Sequence, residues 1–138
     1  MADKIFRDPL YNYISIDKND EEWLLRLLDT PEMQRLRRIH QLGVSHYTFP
    51  GAEHTRLAHS LGVLHLMQQA LERLKKIGED QHIKLARAGL LSGALIHDVG
   101  HGPFSHVFEP CLEVNHEAWT CKIILDDDSP DVLRTLVP

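Results

Sequence analysis

The sequence predicts a mostly α-helical domain that begins with a small β-hairpin. Two observations indicate helices: apolar residues recur every three or four positions from Leu57 to Leu74, and the stretch from Ala88 to Ile96 carries no charge. One observation indicates the hairpin: residues 4–6 and 11–16 alternate loosely on either side of the turn signal Asp8-Pro9. Everything after this hairpin is interpreted as helices separated by short polar or glycine-containing breaks.

Two helices are predicted directly after the hairpin. The first covers the apolar residues between positions 23 and 28, and either Asn19 or Asp20 is suited to cap its N-terminus. The second begins at Thr30-Pro31, because proline is favoured in the first turn after a capping hydroxyl. Its apolar residues continue to Ile39, so this helix is predicted to end near Gly43.

The remaining helices follow a loop at residues 47–52. The longest is predicted from Thr55 to Ile77, and its two apolar faces are typical of a central helix. The next extends from Ile83 to about Asp98, where a Gly-Pro loop breaks it. Shorter helices are predicted at 104–108 and 116–125, and a polar break at 126–130 precedes a last one at 131–136. Residues 1–138 show no repeat or linker and are predicted to form one helical domain.

Composition argues against several classes of protein. The chain has 138 residues, of which 43% are hydrophobic, enough to form a folded core. Its net charge of −5 disfavours a nucleic-acid partner, and we interpret the basic residues at 35, 37 and 38 as a solvated or interface-facing helix surface. No apolar run approaches the roughly 20 residues of a membrane span. Cys111 and Cys121 fit reduced thiols, which predicts a cytoplasmic protein.

Histidine is the residue type that stands out. The chain has 10 histidines, and histidine is the usual metal ligand and proton carrier near neutral pH. Three of them lie in the segment His97–His106, which also holds Asp98, where an apolar helix meets the Gly-Pro loop. A buried carboxylate and imidazole are costly unless they are paired or bind a metal. The segment therefore predicts a metal or acid–base site; the alternative is that Asp98 caps a turn and His97 is a core histidine.

A divalent cation needs more ligands than this pair, and His59 is the natural third. It lies on the long helix beside Gly62 and Val63, away from the leucine stripe. We predict that His59, His97 and Asp98 converge on one ion. Mixed nitrogen and oxygen ligands suit Mn, Fe, Zn, Ni or Co better than calcium, and Mg remains a further candidate.

Two segments make the sequence recognisable. Residues 49–63 are FPGAEHTRLAHSLGV and residues 97–106 are HDVGHGPFSH. In this order and spacing they resemble the HD-domain phosphohydrolases, and more closely the deoxynucleoside triphosphate (dNTP) triphosphohydrolases, which include the dGTPases and the SAM-and-HD-domain dNTPase. Residues 6–10, 29–43 and 116–117 also fit this branch, so the resemblance extends from about residue 4 to residue 125.

The resemblance implies roles for individual residues. The metal ligands would be His59, His97 and Asp98. Histidines of the catalytic pocket, with a neighbouring carboxylate, would be His101, His106, His116 and Glu117. Contacts with the substrate would come from Gln41 and Leu42 at the sugar and from Arg56 at the phosphates. A histidine that titrates near the operating pH can protonate the leaving oxygen, and His106 is the first choice for that role, followed by His116.

The function implied by the resemblance is metal-dependent hydrolysis of a dNTP to deoxynucleoside and inorganic triphosphate, by a homo-oligomer. Two alternatives stay open: an HD phosphohydrolase for another nucleotide, and a fragment that binds nucleotide or oligomerises without turnover. The family's fourth metal ligand is an aspartate far downstream, whereas this chain ends 40 residues after Asp98. The cluster Asp126–Asp128 has the wrong spacing to replace it. We therefore expect a C-terminally incomplete HD domain with weak metal binding and poor turnover.

Overall fold

The structure is a computed structural model that describes residues 3–78, 80–125 and 136–137. Strands β1 and β2 form an antiparallel hairpin and precede six α-helices within these residues. The elements are β1 (Lys4–Asp8), β2 (Asn12–Ile16), α1 (Glu22–Leu28), α2 (Pro31–Gln34), α3 (Arg56–Lys76), α4 (Asp80–Ile96), α5 (Ser105–Leu112) and α6 (His116–Leu125), with 3-10 turns at Arg35–Arg38 and Ser45–Tyr47. The predicted helical class with an N-terminal hairpin is confirmed.

The hairpin closes at the predicted Asp8-Pro9 turn. The Asp8 carboxylate accepts hydrogen bonds from the backbone amides of Leu10 and Tyr11, at 2.8 and 2.9 Å. Alternate residues of β2 face the helices, and Ile14 and Ile16 are fully buried. The hairpin therefore forms part of the core rather than a free arm.

Helices α3 and α4 form the centre of the core. Leucines from the periodic stripe of α3 pack against the uncharged half of α4, and α1 packs against α4. They form one cluster that contains Leu24, Leu27, Leu57, Leu61, Leu64, Leu71, Leu91 and Leu95. The Thr55 hydroxyl caps α3 by accepting a hydrogen bond from the amide of Ala58. Since the connection between the two helices is short, the start of α3 lies beside the end of α4. The candidate functional site lies at this end of the helix pair.

Helix α2 is shorter than the sequence predicts. It ends at Gln34, continues as a 3-10 turn to Arg38, and becomes extended at Ile39. The following residues pair with the segment before α3 instead: the Gln41 amide donates to the His54 carbonyl at 3.0 Å, and the Arg56 amide donates to the Ile39 carbonyl at 2.9 Å. These long-range bonds satisfy the backbone that a longer helix would have satisfied, and they bring Gln41 to the N-terminus of α3.

The N-cap predicted for α1 is wrong. Glu21 holds the cap position, and the amides of Asn19 and Asp20 instead donate to the Asp17 carboxylate, at 2.7 and 3.4 Å. An aspartate that binds backbone amides two and three positions ahead forms a turn and shifts the helix start along the chain.

The last predicted features fall mostly outside the described residues. These are the polar break at 126–130, including the acidic cluster Asp126–Asp128, and residues 131–135 of the last predicted helix. Among the helices that the structure describes, none combines the length and the apolar character needed to cross a lipid bilayer.

Candidate functional site

The loop that follows α4, residues 97–101, carries most of the candidate ligands and is called the His-Asp loop below. Its backbone continues α4 in tight turns: the His97 amide donates to Gly93, and the His101 amide donates to Asp98, at 3.0 and 3.1 Å. Because the turns are tight, side chains that would diverge by about 100° per residue on a longer helix project to one side of the helix end.

Three side chains converge beside this loop. His97 Nε2 lies 3.3 Å from His59 Nε2 and 3.2 Å from Asp98 Oδ1, and His59 Nε2 lies 3.8 Å from Asp98 Oδ2. All three ligand atoms lie within 4.8 Å of one another. The structure thus brings together the three residues predicted as metal ligands, which we call the trio.

The hydrogen bonds of the trio match the requirements of a cation. His97 Nδ1 lies 3.0 Å from the Ala94 carbonyl, and a carbonyl can only accept, so Nδ1 carries a proton. In a neutral ring, Nε2 then presents a lone pair to a carboxylate oxygen and to a second imidazole nitrogen. His97 Nε2 and Asp98 Oδ1, 3.2 Å apart, are then both acceptors and repel one another unless a positive charge lies between them. The donor set and the tautomer therefore fit a divalent metal ion.

The charges of the trio suit the same ion. Burial lowers the pKa of His59, and this effect exceeds the opposing attraction of Asp98, so the neutral form that can bind a metal is favoured. Burial by itself would raise the pKa of Asp98. However, its hydrogen bond with His101 and the nearby charges of His97, His101 and Arg56 together outweigh burial and hold that pKa well below its usual value. Asp98 is therefore ionised.

Arg56 fixes the orientation of the Asp98 carboxylate. Its Nη1 donates to Asp98 Oδ2 at 2.8 Å, and its side chain is only 3% exposed. The other oxygen, Oδ1, faces His97 and His101, the latter at 3.5 Å. A buried ion pair of this kind costs desolvation energy. In this arrangement Asp98 Oδ2 faces Arg56 and, at a longer distance, His59, while Oδ1 faces His97 and His101.

A second cluster lies beside the trio and is called the histidine–glutamate cluster. Its carboxylate is Glu109: Oε1 lies 2.8 Å from His116 Nδ1, and Oε2 lies 3.7 Å from His106 Nδ1. The rings of His101 and His116 stack with their centroids 3.9 Å apart. His101 is 2% exposed and joins the two clusters, since its Nδ1 lies 4.0 Å from Glu109 and its Nε2 faces Asp98. Burial lowers the pKa of His101 more than its hydrogen bond with Asp98 raises it.

Glu109 was missed by the sequence analysis, which proposed Glu117 instead. Glu117 is exposed in the first turn of α6 and, among the described residues, has no hydrogen bond or ion pair to these histidines. Residues adjacent on a helix diverge by about 100°, so Glu117 does not accompany His116 into the cluster. The available signal was the spacing of His106 and Glu109, which places both on one face of a helix.

The predicted substrate contacts line one cavity. Gln41, Leu42 and Arg56 surround about 270 Å³ together with Phe104 and His106. Among the described residues, Gln41 Oε1 and Arg56 Nε are buried without a hydrogen-bond partner. The structure therefore brings the three residues to one place, next to the histidine–glutamate cluster.

Arg35 does not belong to a solvated surface, contrary to the prediction. Its guanidinium donates to the carbonyls of Val99 and His101, the second at 2.7 Å, whereas Arg37 and Arg38 are exposed. Burial lowers the pKa of Arg35, with a smaller opposing effect from Glu32. The prediction was wrong because the partners of Arg35 are backbone atoms more than 60 residues away.

Comparison with known proteins identifies the fold family. The sequence pattern of the HD domain matches residues 56–137, more than half of the chain. The chain belongs to the HD-domain family. The match includes the trio and the histidine–glutamate cluster.

Several relatives are longer than this chain. It is 42% identical over 137 residues to the uncharacterized protein YwfO of Bacillus subtilis, covering 99% of this chain and 31% of that protein. It is 44% identical over 107 residues to the deoxynucleoside triphosphate triphosphohydrolase SAMHD1 of Xenopus laevis, covering 77% of this chain and 16% of that protein. Its fold resembles the crystal structure of a phosphohydrolase from Bacteroides thetaiotaomicron, with a TM-score of 0.80, 36% identity, and coverage of 98% of this chain and 33% of that one. The chain thus spans a third or less of the length of these relatives.

Proposed function

We propose that this chain is the metal-binding part of a phosphohydrolase whose substrate is a deoxynucleoside triphosphate. The observation that carries the proposal is the contact between the two clusters: His101 lies 3.5 Å from Asp98 in the trio and stacks on His116 in the histidine–glutamate cluster. This contact supports a site in which metal ligands and proton-transfer groups would lie side by side. The relatives named as phosphohydrolases support the same reaction class.

The trio would hold one divalent cation. When bound, such an ion supplies charge neutralisation for the phosphoryl group and activation of a water molecule. The ionised Asp98 and the neutral ring of His59 are the forms that bind a metal, and the Ala94 carbonyl holds His97 in the required tautomer. Mn, Fe, Zn, Ni, Co and Mg all remain candidates on these ligands.

The histidine–glutamate cluster would move the proton that the leaving oxygen requires. His106 is 63% exposed, so a substrate can reach it, and Glu109 Oε2 lies 3.7 Å from its Nδ1. A carboxylate on one side of an imidazole orients the ring for proton transfer. His116 is held more tightly by Glu109 and is less exposed. We therefore assign proton donation to His106 and an orienting role to His116.

The cavity beside Arg56 would hold the sugar and the phosphates. Buried polar atoms without a partner are rare in proteins, and two residues that line this cavity each carry such an atom, Gln41 Oε1 and Arg56 Nε. A sugar hydroxyl can donate to the Gln41 oxygen, and a phosphate oxygen can accept from the Arg56 guanidinium. Leu42, which is half exposed, supplies an apolar wall. Homo-oligomerisation remains a prediction from the resemblance.

Product identity tests the proposed function. With Mn²⁺ present, the chain is expected to convert dGTP to deoxyguanosine and inorganic triphosphate, and a His106→Asn variant is expected to lose about 10²–10⁴-fold in rate. The products are separated by anion-exchange chromatography of labelled dGTP, since turnover is expected to be slow. Pyrophosphate or orthophosphate as the product would favour an HD phosphohydrolase for another nucleotide. Binding without any product would favour a nucleotide-binding fragment.

A further inference from the structure

Thr120, on α6, forms two hydrogen bonds with the His-Asp loop. Its hydroxyl accepts from the Gly100 amide at 2.9 Å and donates to the His97 carbonyl at 3.2 Å. The residue is 7% exposed. A helical threonine hydroxyl commonly bonds the carbonyl of its own helix one turn back. Here it bonds a loop that lies 20 to 23 residues earlier in the chain.

Gly100 allows this contact because it has no side chain. A Cβ at this position would collide with the His116 carbonyl and the Thr120 amide, and would lie 2.5 Å from Thr120 Oγ1. Helix α6 therefore lies directly against the backbone of the loop. Because His116 begins this helix, the same contact sets the position of His116 relative to the trio.

Arg35 binds the loop from a different part of the chain. Its guanidinium donates to the carbonyls of Val99 and His101, which flank Gly100. Two groups from separate parts of the chain thus form hydrogen bonds with backbone atoms of the His-Asp loop. One is the Arg35 guanidinium, from the segment after α2, and the other is the Thr120 hydroxyl, from α6. Because both groups hold its backbone, the loop has little freedom to turn His97 or Asp98 away from His59.

We propose that Thr120 is a positioning residue of the metal site, which acts by fixing the backbone that carries His97 and Asp98. This inference rests on the proposed function and extends it to a residue that touches neither the cation nor the substrate. Groups that orient metal ligands without binding the metal commonly contribute 10–100-fold in metal affinity. We expect the metal affinity to depend on the hydroxyl of Thr120 rather than on the volume of its side chain.

Titration calorimetry of the metal-free chain with Mn²⁺ tests this role. Thr120→Val keeps the shape and removes the hydroxyl, and it is expected to weaken Mn²⁺ binding about 10-fold or more. Thr120→Ser restores the hydroxyl and is expected to bind within about threefold of the parent chain. Thr30→Val is the matched control, because Thr30 is also buried and its hydroxyl also makes two backbone bonds, to Leu27 and Met33. It should lower thermal stability to a similar degree without changing Mn²⁺ affinity.

Amide hydrogen exchange in the metal-free chain gives a second measurement. The Gly100 amide is expected to lose protection in Thr120→Val and to keep it in Thr120→Ser and Thr30→Val. Equal Mn²⁺ affinity in the parent and Thr120→Val would overturn the inference while leaving the proposed function in place. Weakening by Thr30→Val to the same extent as Thr120→Val would also overturn it. A parent chain that binds no Mn²⁺ would contradict the proposed function, and with it this inference.

Discussion

The double substitution His59→Ala, His97→Ala is expected to reduce divalent metal binding below detection while the chain stays folded. Two of the three proposed ligand atoms disappear, and a single carboxylate does not hold a metal tightly. Both side chains are more than a third exposed, at 37% and 36%. The buried pair of Arg56 and Asp98 remains intact, so folding and metal binding can be separated. Bound metal is measured by elemental analysis after dialysis, and folding by circular dichroism.

The matched control for this prediction is His65→Ala, His82→Ala. These histidines lie on the same two helices, α3 and α4, and outside both clusters. The control should retain as much metal as the parent chain. Stoichiometric metal in the His59/His97 variant, or equal loss in the control, would show that the ion binds elsewhere.

Substitution of Gly100 by alanine is expected to have the largest effect on stability. The added methyl group would collide with backbone atoms of His116 and Thr120, which cannot move aside as the end of a flexible side chain can. Overpacking of a core costs roughly 1–3 kcal/mol and occasionally more, and a clash with backbone should reach the upper end. We expect the free energy of unfolding to fall by about 3 kcal/mol, measured by urea denaturation.

Gly93→Ala is the control for this substitution. Gly93 lies inside α4, and a Cβ there would meet no atom within 4 Å. Alanine in a helix interior is favoured over glycine by about 0.5–1 kcal/mol, so this variant should be more stable than the parent. A Gly100→Ala chain as stable as the parent would show that α6 does not lie against the His-Asp loop.

Local periodicity was sufficient to predict the hairpin and the long helices. The alternation around Asp8-Pro9 and the leucine stripe of α3 depend on neighbours in sequence, and both predictions agree with the structure. Periodicity did not predict the end of helix α2 correctly. Its continuation past Gln34 was predicted from apolar spacing, but hydrogen bonds between residues 39–41 and 54–56 determine that segment. Such pairing has no local signal.

The candidate site was also predicted only in part. His59, His97 and Asp98 were singled out by their chemistry and by the resemblance, and they lie together in the structure. Glu109 was overlooked, because a glutamate on a short helix is usually solvated. The roles of Arg35 and Thr120 were also missed, since each depends on backbone atoms that are distant in sequence. A sequence motif does not show which backbone atoms from distant parts of the chain lie beside a side chain.

Diffraction from crystals grown with Mn²⁺, recorded at the manganese absorption edge, would locate the proposed metal ion. We expect one anomalous peak bonded to His59 Nε2, His97 Nε2 and an oxygen of Asp98, at distances of about 2.0–2.3 Å. A peak held instead by His101, Glu109 and His116, the other group with suitable donor atoms, would contradict the assignment of the trio. So would crystals in which no peak contacts His59, His97 or Asp98.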